Sequence, residues 1–359
     1  MDFGLSEEQA MLQETVRGFA EKECPTTRLR ELFDEGLGHD PALWGALAEM
    51  GVAGLIVPEE HGGAGMEVLD LALVAEVLGE FAIPTPFLGH VLATRGVILT
   101  GSPAQQAKIL PALAAGEQIA TVALQEGDAS WTPESWTAEL RGGHLHGEKT
   151  IVSHAALADG FLVGLSGGDL AWVDARADGV ITEDLGGIDR TRPISRVRFE
   201  GAPAELLAGG AGDAWALVDT AAVLLAADAF GAAAKLIDID VAYALQREQF
   251  GQPIGQFQAI KHTIAQLGTD IEPARALFWY AAHCQDAIPA EAAHAASVAK
   301  AHITDRAMNT ARESVELHGG YGFTWECEVQ MWFKRIMLDR SLLGTPDQWR
   351  ERTAMLGEY

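Results

Sequence analysis

A chain of 359 residues with 48% hydrophobic content is long enough for two or three domains around a sizeable core. Its formal net charge of -26 excludes nucleic acid and an anionic membrane as natural partners, since both repel an acidic surface. Three cysteines, Cys24, Cys284 and Cys327, are odd in number and far apart, which reads as reduced thiols in a cytoplasmic protein.

The N-terminal residues carry neither the basic nor the apolar region of a signal peptide, and no apolar run reads as long enough to span a bilayer. Ser6 and Gln9 form a capping box, opening a helix with Met11, Leu12, Val16, Phe19 and Ala20 at helical spacing. Asp40-Pro41 starts a second helix that Gly51 ends. A turn-rich loop, Val57 to Gly65, precedes an apolar helix from about Leu69 to Phe81. Further helical segments follow at Leu88 to Leu99 and Gln105 to Leu113. Residues 1–118 therefore read as a helical domain.

From Ile119 to about Leu207 the texture changes to short apolar or alternating runs broken by Gly and Asp. Residues 119–208 read as a β domain, with hairpin turns at the Gly-Gly pairs beginning at Gly142 and Gly167. His144 and His146 alternate on one strand without a third ligand at a recognisable spacing, so no metal is expected. Residues 209–359 return to helix, rich in alanine from Ala221 to Ala234, which suits close helix packing in a bundle.

Two stretches in this last region suit a phosphate-bearing cofactor. In the first, Arg247 closes a helix, where its guanidinium can project as a fixed cationic fork. Phe250 offers an apolar plate, Gly251, Pro253 and Gly255 enforce a turn, and Gln258 opens the next helix with a two-way amide. In the second, Glu316 to Phe323 ends a helix in a cluster that includes Gly319 and Gly320, where backbone can approach a ligand closely. Each stretch also fits a plain helical corner.

Together they resemble the acyl-CoA dehydrogenase family, whose members carry R-x-x-F-G…Q and Q-x-x-G-G-x-G segments in this order. The likeness extends to Pro58 to Gly65 and to Leu110 to Glu117, and so covers nearly the whole chain. It implies a mainly α fold with a central β domain: an N-terminal helical domain, a middle β-barrel domain and a C-terminal four-helix bundle. It also implies FAD, with Arg247, Phe250, Gln258, Glu316, Gly319 and Gly320 holding the ADP part of a neighbouring subunit's cofactor. Ser153 and Thr345 would stand on the flavin side.

The family reaction takes a proton from Cα of an acyl-CoA and passes hydride from Cβ to the flavin, so a carboxylate base is needed. The usual base position is Leu343, and the alternative position on the long helix is Ala221. Neither can accept a proton. Asp228, seven residues beyond Ala221, is the one remaining candidate for a relocated base. The flavin-facing segment is also altered, reading Leu124 to Thr132 with a bulky Trp131 near the substrate path, and Glu316 replaces the family's glutamine. Residues serving this chain's own active site are degraded, whereas those serving a neighbour's cofactor remain.

The resemblance therefore points to the non-catalytic subunit of a heterotetrameric (α2β2) acyl-CoA dehydrogenase, one assigned to lipid or steroid degradation. Its partners would be a paralogous catalytic subunit, an acyl-CoA with a bulky or steroid-derived group bound through the complex, and an electron-transfer flavoprotein-type acceptor. A self-sufficient homomer using Asp228 and a flavin-free structural paralogue are the alternatives.

Overall fold

The computed structural model describes residues 4–127, 131–207 and 209–357. Six helices come first: α1 (Glu7–Glu23), α2 (Thr26–Glu35), α3 (Pro41–Glu49), α4 (Val68–Glu80), α5 (Phe87–Thr100) and α6 (Pro103–Ala114). The Ser6–Gln9 capping box is formed, and Asp40 caps α3 by accepting from the Ala42 backbone N–H. Helix α2 escapes the sequence reading, although Pro25 precedes it and Gly36 ends it at φ 72°. Its few apolar residues, Leu29, Leu32 and Phe33, are nonetheless buried.

The central strands are β1 (Ala120–Ala123), β2 (Glu139–Arg141), β3 (His144–Ser153), β4 (Gly160–Gly164), β5 (Leu170–Asp174), β6 (Val180–Asp184) and β7 (Ile194–Leu207). They run in the order β1-β4-β5-β7-β3-β2, with β6 also on β7. The 14-residue β7 pairs with β5 through its last residues and with β3 and β6 through its first, so it joins two half-sheets. Among the described residues no hydrogen-bonded ladder joins β1 to β2. Strands β2 and β6 are short and largely exposed, which removes the alternation that reveals a strand in sequence. Gly142 and Gly143, and likewise Gly167 and Gly168, take positive φ in the expected hairpin turns.

The second helical part comprises α7 (Ala211–Gln246), α8 (Gln258–Ile271), α9 (Ala274–Ala287), α10 (Pro289–Leu317), α11 (Val329–Ser341) and α12 (Pro346–Leu356). Pro273 caps α9, as its missing N–H allows. Helix α7 packs against α4, α5, α9, α10 and α11, and its alanines let those neighbours come close. At the crossing with α4, a Cβ on Gly231 would lie 1.9 Å from the Glu76 carbonyl, and one on Gly79 would lie 2.0 Å from that of Asp228. The two backbones touch there, which only glycine permits. Contrary to the sequence reading, α7 is long and apolar enough to cross a bilayer, yet 94% of its most apolar window is buried within the protein. Its hydrophobicity is that of a core helix.

Candidate functional site

Two places collect the residues singled out in the sequence. The first is a cleft among α5, β1, β3, α7 and the turn between α11 and α12. It is lined by Leu88, Thr121, Gln125, Ile151, Ser153, Leu225, Leu342 and Leu343. Ser153 and Leu343 are thus brought together, and Leu225 lies one turn beyond Ala221 on α7, which is fully buried. The cleft encloses about 40 Å³, room for no more than a few waters. Thr345 is not among its lining residues. It caps α12, with its backbone N–H donating to Gln348 Oε1 at 2.8 Å.

Tryptophans pack around the turn that carries Leu343. Trp131 lies against Trp349 with ring centroids 4.8 Å apart and meets Trp215 edge-on at 5.7 Å. Gly344 sits beneath Trp131, where a Cβ would come within 2.6 Å of the indole. Trp349 donates its indole N–H to the Leu343 carbonyl at 2.8 Å, and Leu343 is held at φ 52°. A leucine in the left-handed region is strained, so packing over-determines this turn. Trp349 and Trp215 carried no motif in the sequence; only proximity reveals their part. Residues 128–130 of the altered flavin-facing segment lie outside the described residues.

Asp228, the candidate base, is ion-paired within its own chain. Its carboxylate is 6% exposed and accepts from Arg335 Nε at 2.8 Å and Nη2 at 2.6 Å, with Arg192 Nη1 at 3.9 Å. Burial pushes its carboxyl up, but Arg335 and Arg192 outweigh burial and hold it below the usual range. A carboxylate so held is a weak proton acceptor, and shared position on a helix face could not reveal its partners. Arg192 also pairs with Asp339 at 2.6 Å and Asp189 at 3.1 Å, which makes a buried network tying the sheet region to α7 and α11.

The second place is an outward-facing platform at the far end of α7. Arg247 is the C-cap of that helix, and its guanidinium makes no ion pair or hydrogen bond among the described residues. A short ladder of β8 (Glu248–Gln249) and β9 (Gln252–Pro253) follows, and the Ile254 N–H returns to the Arg247 carbonyl at 2.8 Å. Phe250, at the tip, has φ 54° and is 93% exposed. Tyr243, one turn before Arg247, stacks on His318 at 4.1 Å and lies parallel to Tyr321 at 6.4 Å. That stack carries the turn after α10 to the end of α7. Gly319, Gly320, Glu316 and Gln258 are exposed on this side, and a Cβ added to either glycine would meet open space.

Beneath the platform, Ser314 donates to Asp240 at 2.7 Å, and burial pushes the Asp240 carboxyl up to about 7. The surface thus offers an unpaired cation, an exposed aromatic plate and a glycine cradle. That set fits the diphosphate and base of a nucleotide. His144 and His146 lie exposed on β3, and no group of three or more metal-ligating side chains gathers among the described residues.

The chain belongs to the acyl-CoA dehydrogenase family. Residues 6–117 match the family's N-terminal domain and residues 209–355 its C-terminal domain. It is 35% identical over 350 residues to the acyl-CoA dehydrogenase IpdE2 of Mycolicibacterium smegmatis, across 97% of this chain and 98% of that protein. Among solved structures it resembles the Tcur3481-Tcur3483 steroid ACAD, with a TM-score of 0.89 and 29% identity over 98% of this chain and 97% of that one. It also resembles the ChsE4-ChsE5 complex of Mycobacterium tuberculosis, with a TM-score of 0.90 and 26% identity over 99% and 98%.

Proposed function

We propose that this chain is the non-catalytic subunit of a heteromeric, FAD-dependent acyl-CoA dehydrogenase, and that its platform grips the ADP part of a cofactor seated in a paralogous partner. One contrast carries the reading. The cleft at the usual base position, Leu343, encloses only about 40 Å³, whereas Arg247, Phe250, Gly319 and Gly320 face outward and the Arg247 guanidinium has no partner among the described residues. Leu225 at the cleft and Arg247 at the platform are about 33 Å apart along α7 at 1.5 Å per residue. A platform that remote from its own cleft serves another chain. The bound flavin would accept the hydride, while the partner's carboxylate takes the proton.

In this division of labour, Arg247 pairs with the diphosphate, Phe250 covers an apolar face, and the Gly319-Gly320 backbone lies against the cofactor. Ser153, which lines the narrow cleft, and Thr345, which caps α12, stand apart from this platform. Likeness to a steroid ACAD supports a bulky or steroid-derived acyl group, and likeness to the ChsE4-ChsE5 complex supports an unlike partner. A flavoprotein acceptor would then receive the electrons, and residues 1–118, 119–208 and 209–359 act as the three structural parts. Arg335 pins Asp228, which disfavours a self-sufficient enzyme.

The test is flavin stoichiometry. The chain expressed alone should be colourless and inactive toward acyl-CoA, and reconstitution with its partner should yield one flavin per unlike pair. A yellow homo-oligomer with one flavin per chain would overturn the assignment.

A further inference from the structure

We infer that Asp240 is a positioning residue for the platform: through His318 its carboxyl sets how the glycine turn lies against the end of α7, and its ionisation loosens the grip on a diphosphate. The inference rests on the platform reading proposed above and adds to it a residue that acts only through another. Asp240, Tyr243 and Arg247 follow at i, i+3 and i+7 and so share one face of α7 up to its cap. On α10, Ser314 and His318 are one turn apart, and Gly319 and Gly320 follow His318 directly. The His318 ring is stacked on Tyr243, so the two gripping segments meet through these rings.

The Asp240 carboxyl is 1% exposed and only half satisfied. Oδ2 accepts from Ser314 Oγ at 2.7 Å, whereas Oδ1 is buried without a hydrogen bond, 3.5 Å from His318 Nδ1. A buried polar oxygen left open is costly in a native fold, and an alanine would fill this helix crossing without that cost. His318 is the one group at ion-pair distance from Asp240 among the described residues, and burial pushes the carboxyl up to about 7.

His318 supplies the coupling. Its Nδ1 is 2.8 Å from the Ser314 carbonyl, which can only accept, so Nδ1 carries the proton of the ring. Burial lowers the pKa of this imidazole and keeps it neutral. While Asp240 is protonated, the Nδ1–H belongs to Ser314 and the ring stays on Tyr243. An anionic Asp240 draws the same N–H toward Oδ1, and the ring carries Gly319 and Gly320 with it. The anion also repels a diphosphate held at Arg247, two turns along the same face and about 10 Å away along the axis. Both effects have one sign: the grip weakens as pH rises through the titration of Asp240. Cys327 also faces Asp240, Glu328 faces His318, and Arg30 of α2 donates to the Cys327 carbonyl at 3.1 Å. Burial raises the Cys327 thiol and the nearby Tyr321 phenol, which keeps both uncharged near neutrality.

The test uses the full-length chain with isotopically labelled histidine, and His318→Gln identifies the His318 signal in its magnetic resonance spectrum. That signal should shift as pH is raised through the neutral range. Asp240→Asn, which keeps the volume and the neutral form, should abolish the shift. Ser314→Ala, which removes the hydrogen bond that favours the anion, should move its midpoint to higher pH. Reconstituted with the partner, the chain should hold FAD about fivefold or more weakly at about pH 8 than at about pH 6, and Asp240→Asn should abolish that difference. A purely structural Asp240 would move neither the midpoint nor the pH profile. A fixed His318 signal in the native chain, or the same loss of FAD affinity in Asp240→Asn, would overturn the inference. A responding His318 in an assembly that takes up no flavin at any pH would overturn the platform reading, and the cofactor role of Asp240 with it, while the contact within the chain stands.

Discussion

The Arg247 guanidinium has no ion-pair or hydrogen-bond partner among the described residues of a chain of formal charge -26. Its replacement should therefore cost the fold little and the cofactor much. Arg247→Ala in the assembled heteromer should weaken FAD by about ten- to a hundred-fold, the loss of one charge-assisted contact of roughly 1.5–3 kcal/mol. Arg247→Lys should recover only part, because an ammonium lacks the fork. Equilibrium flavin titration reads both. Asp228 presents the opposite case: Asp228→Asn keeps the volume but leaves Arg335 without its carboxylate in a buried site. Stability against urea should fall by about 3–5 kcal/mol, while turnover per bound flavin changes less than about threefold, under ~1 kcal/mol. Loss of turnover with flavin retained would restore Asp228 as a base.

At the scale of the element, the turn after α7 holds a non-glycine residue in the left-handed region. Phe250 holds φ 54° with its ring 93% exposed and only the edge-on Phe257 ring, 6.0 Å away between centroids, beside it. A non-glycine residue in the left-handed region costs about 1–2 kcal/mol, and such strain gathers at ligand clamps. Phe250→Gly should accordingly leave the isolated chain as stable as before or more stable by up to about 1 kcal/mol. The same change should weaken flavin retention in the heteromer, because the apolar plate is lost. Denaturation of the single chain and flavin release from the assembly give the two readings, and only a role directed at a partner separates them.

For the whole molecule, a buried histidine joins the first helical part to the sheet. His90 on α5 is fully buried, with Nε2 3.1 Å from the Leu113 carbonyl and Nδ1 accepting from the Ala120 N–H at 3.4 Å. That pairing suits the neutral ring: Nε2 donates and Nδ1 accepts. Burial, partly offset by the backbone of Ala53 and Leu113, lowers its pKa to about 4. The folded state therefore binds fewer protons than the unfolded chain between about pH 4 and 6.5, so the contribution of His90 is present above 6.5 and lost as pH falls toward 4. One such group limits the slope to about 1.4 kcal/mol per pH unit. Other groups titrate in the same span, Asp240 with the opposite sign, so the difference between the native chain and His90→Gln is the quantity to measure. His90→Gln should flatten the fall in urea midpoint between pH 6.5 and 4.5; an unchanged slope would assign the acid sensitivity elsewhere.

Local chemistry made much of this protein legible before its structure. The Ser6 and Asp40 caps, the Gly-Gly hairpins and the helix end at Arg247 are set by residues a few positions apart, and each appears where expected. The paired motifs around Arg247 and Gly319 likewise carried the family, because their residue types and spacing survive in the chain. Contacts between distant segments stayed hidden. Asp228 looked available because nothing near it in sequence announces Arg335, 107 positions away. The packing of the turn after Leu343 depends on Trp131, Trp349 and Gly344 meeting, and the run of α7 through the core, not a bilayer, depends on the helices packed around it. Capping and turn formation are short-range and written in neighbouring residues, whereas burial, ion pairing and enclosed volume exist only once remote segments share the same space.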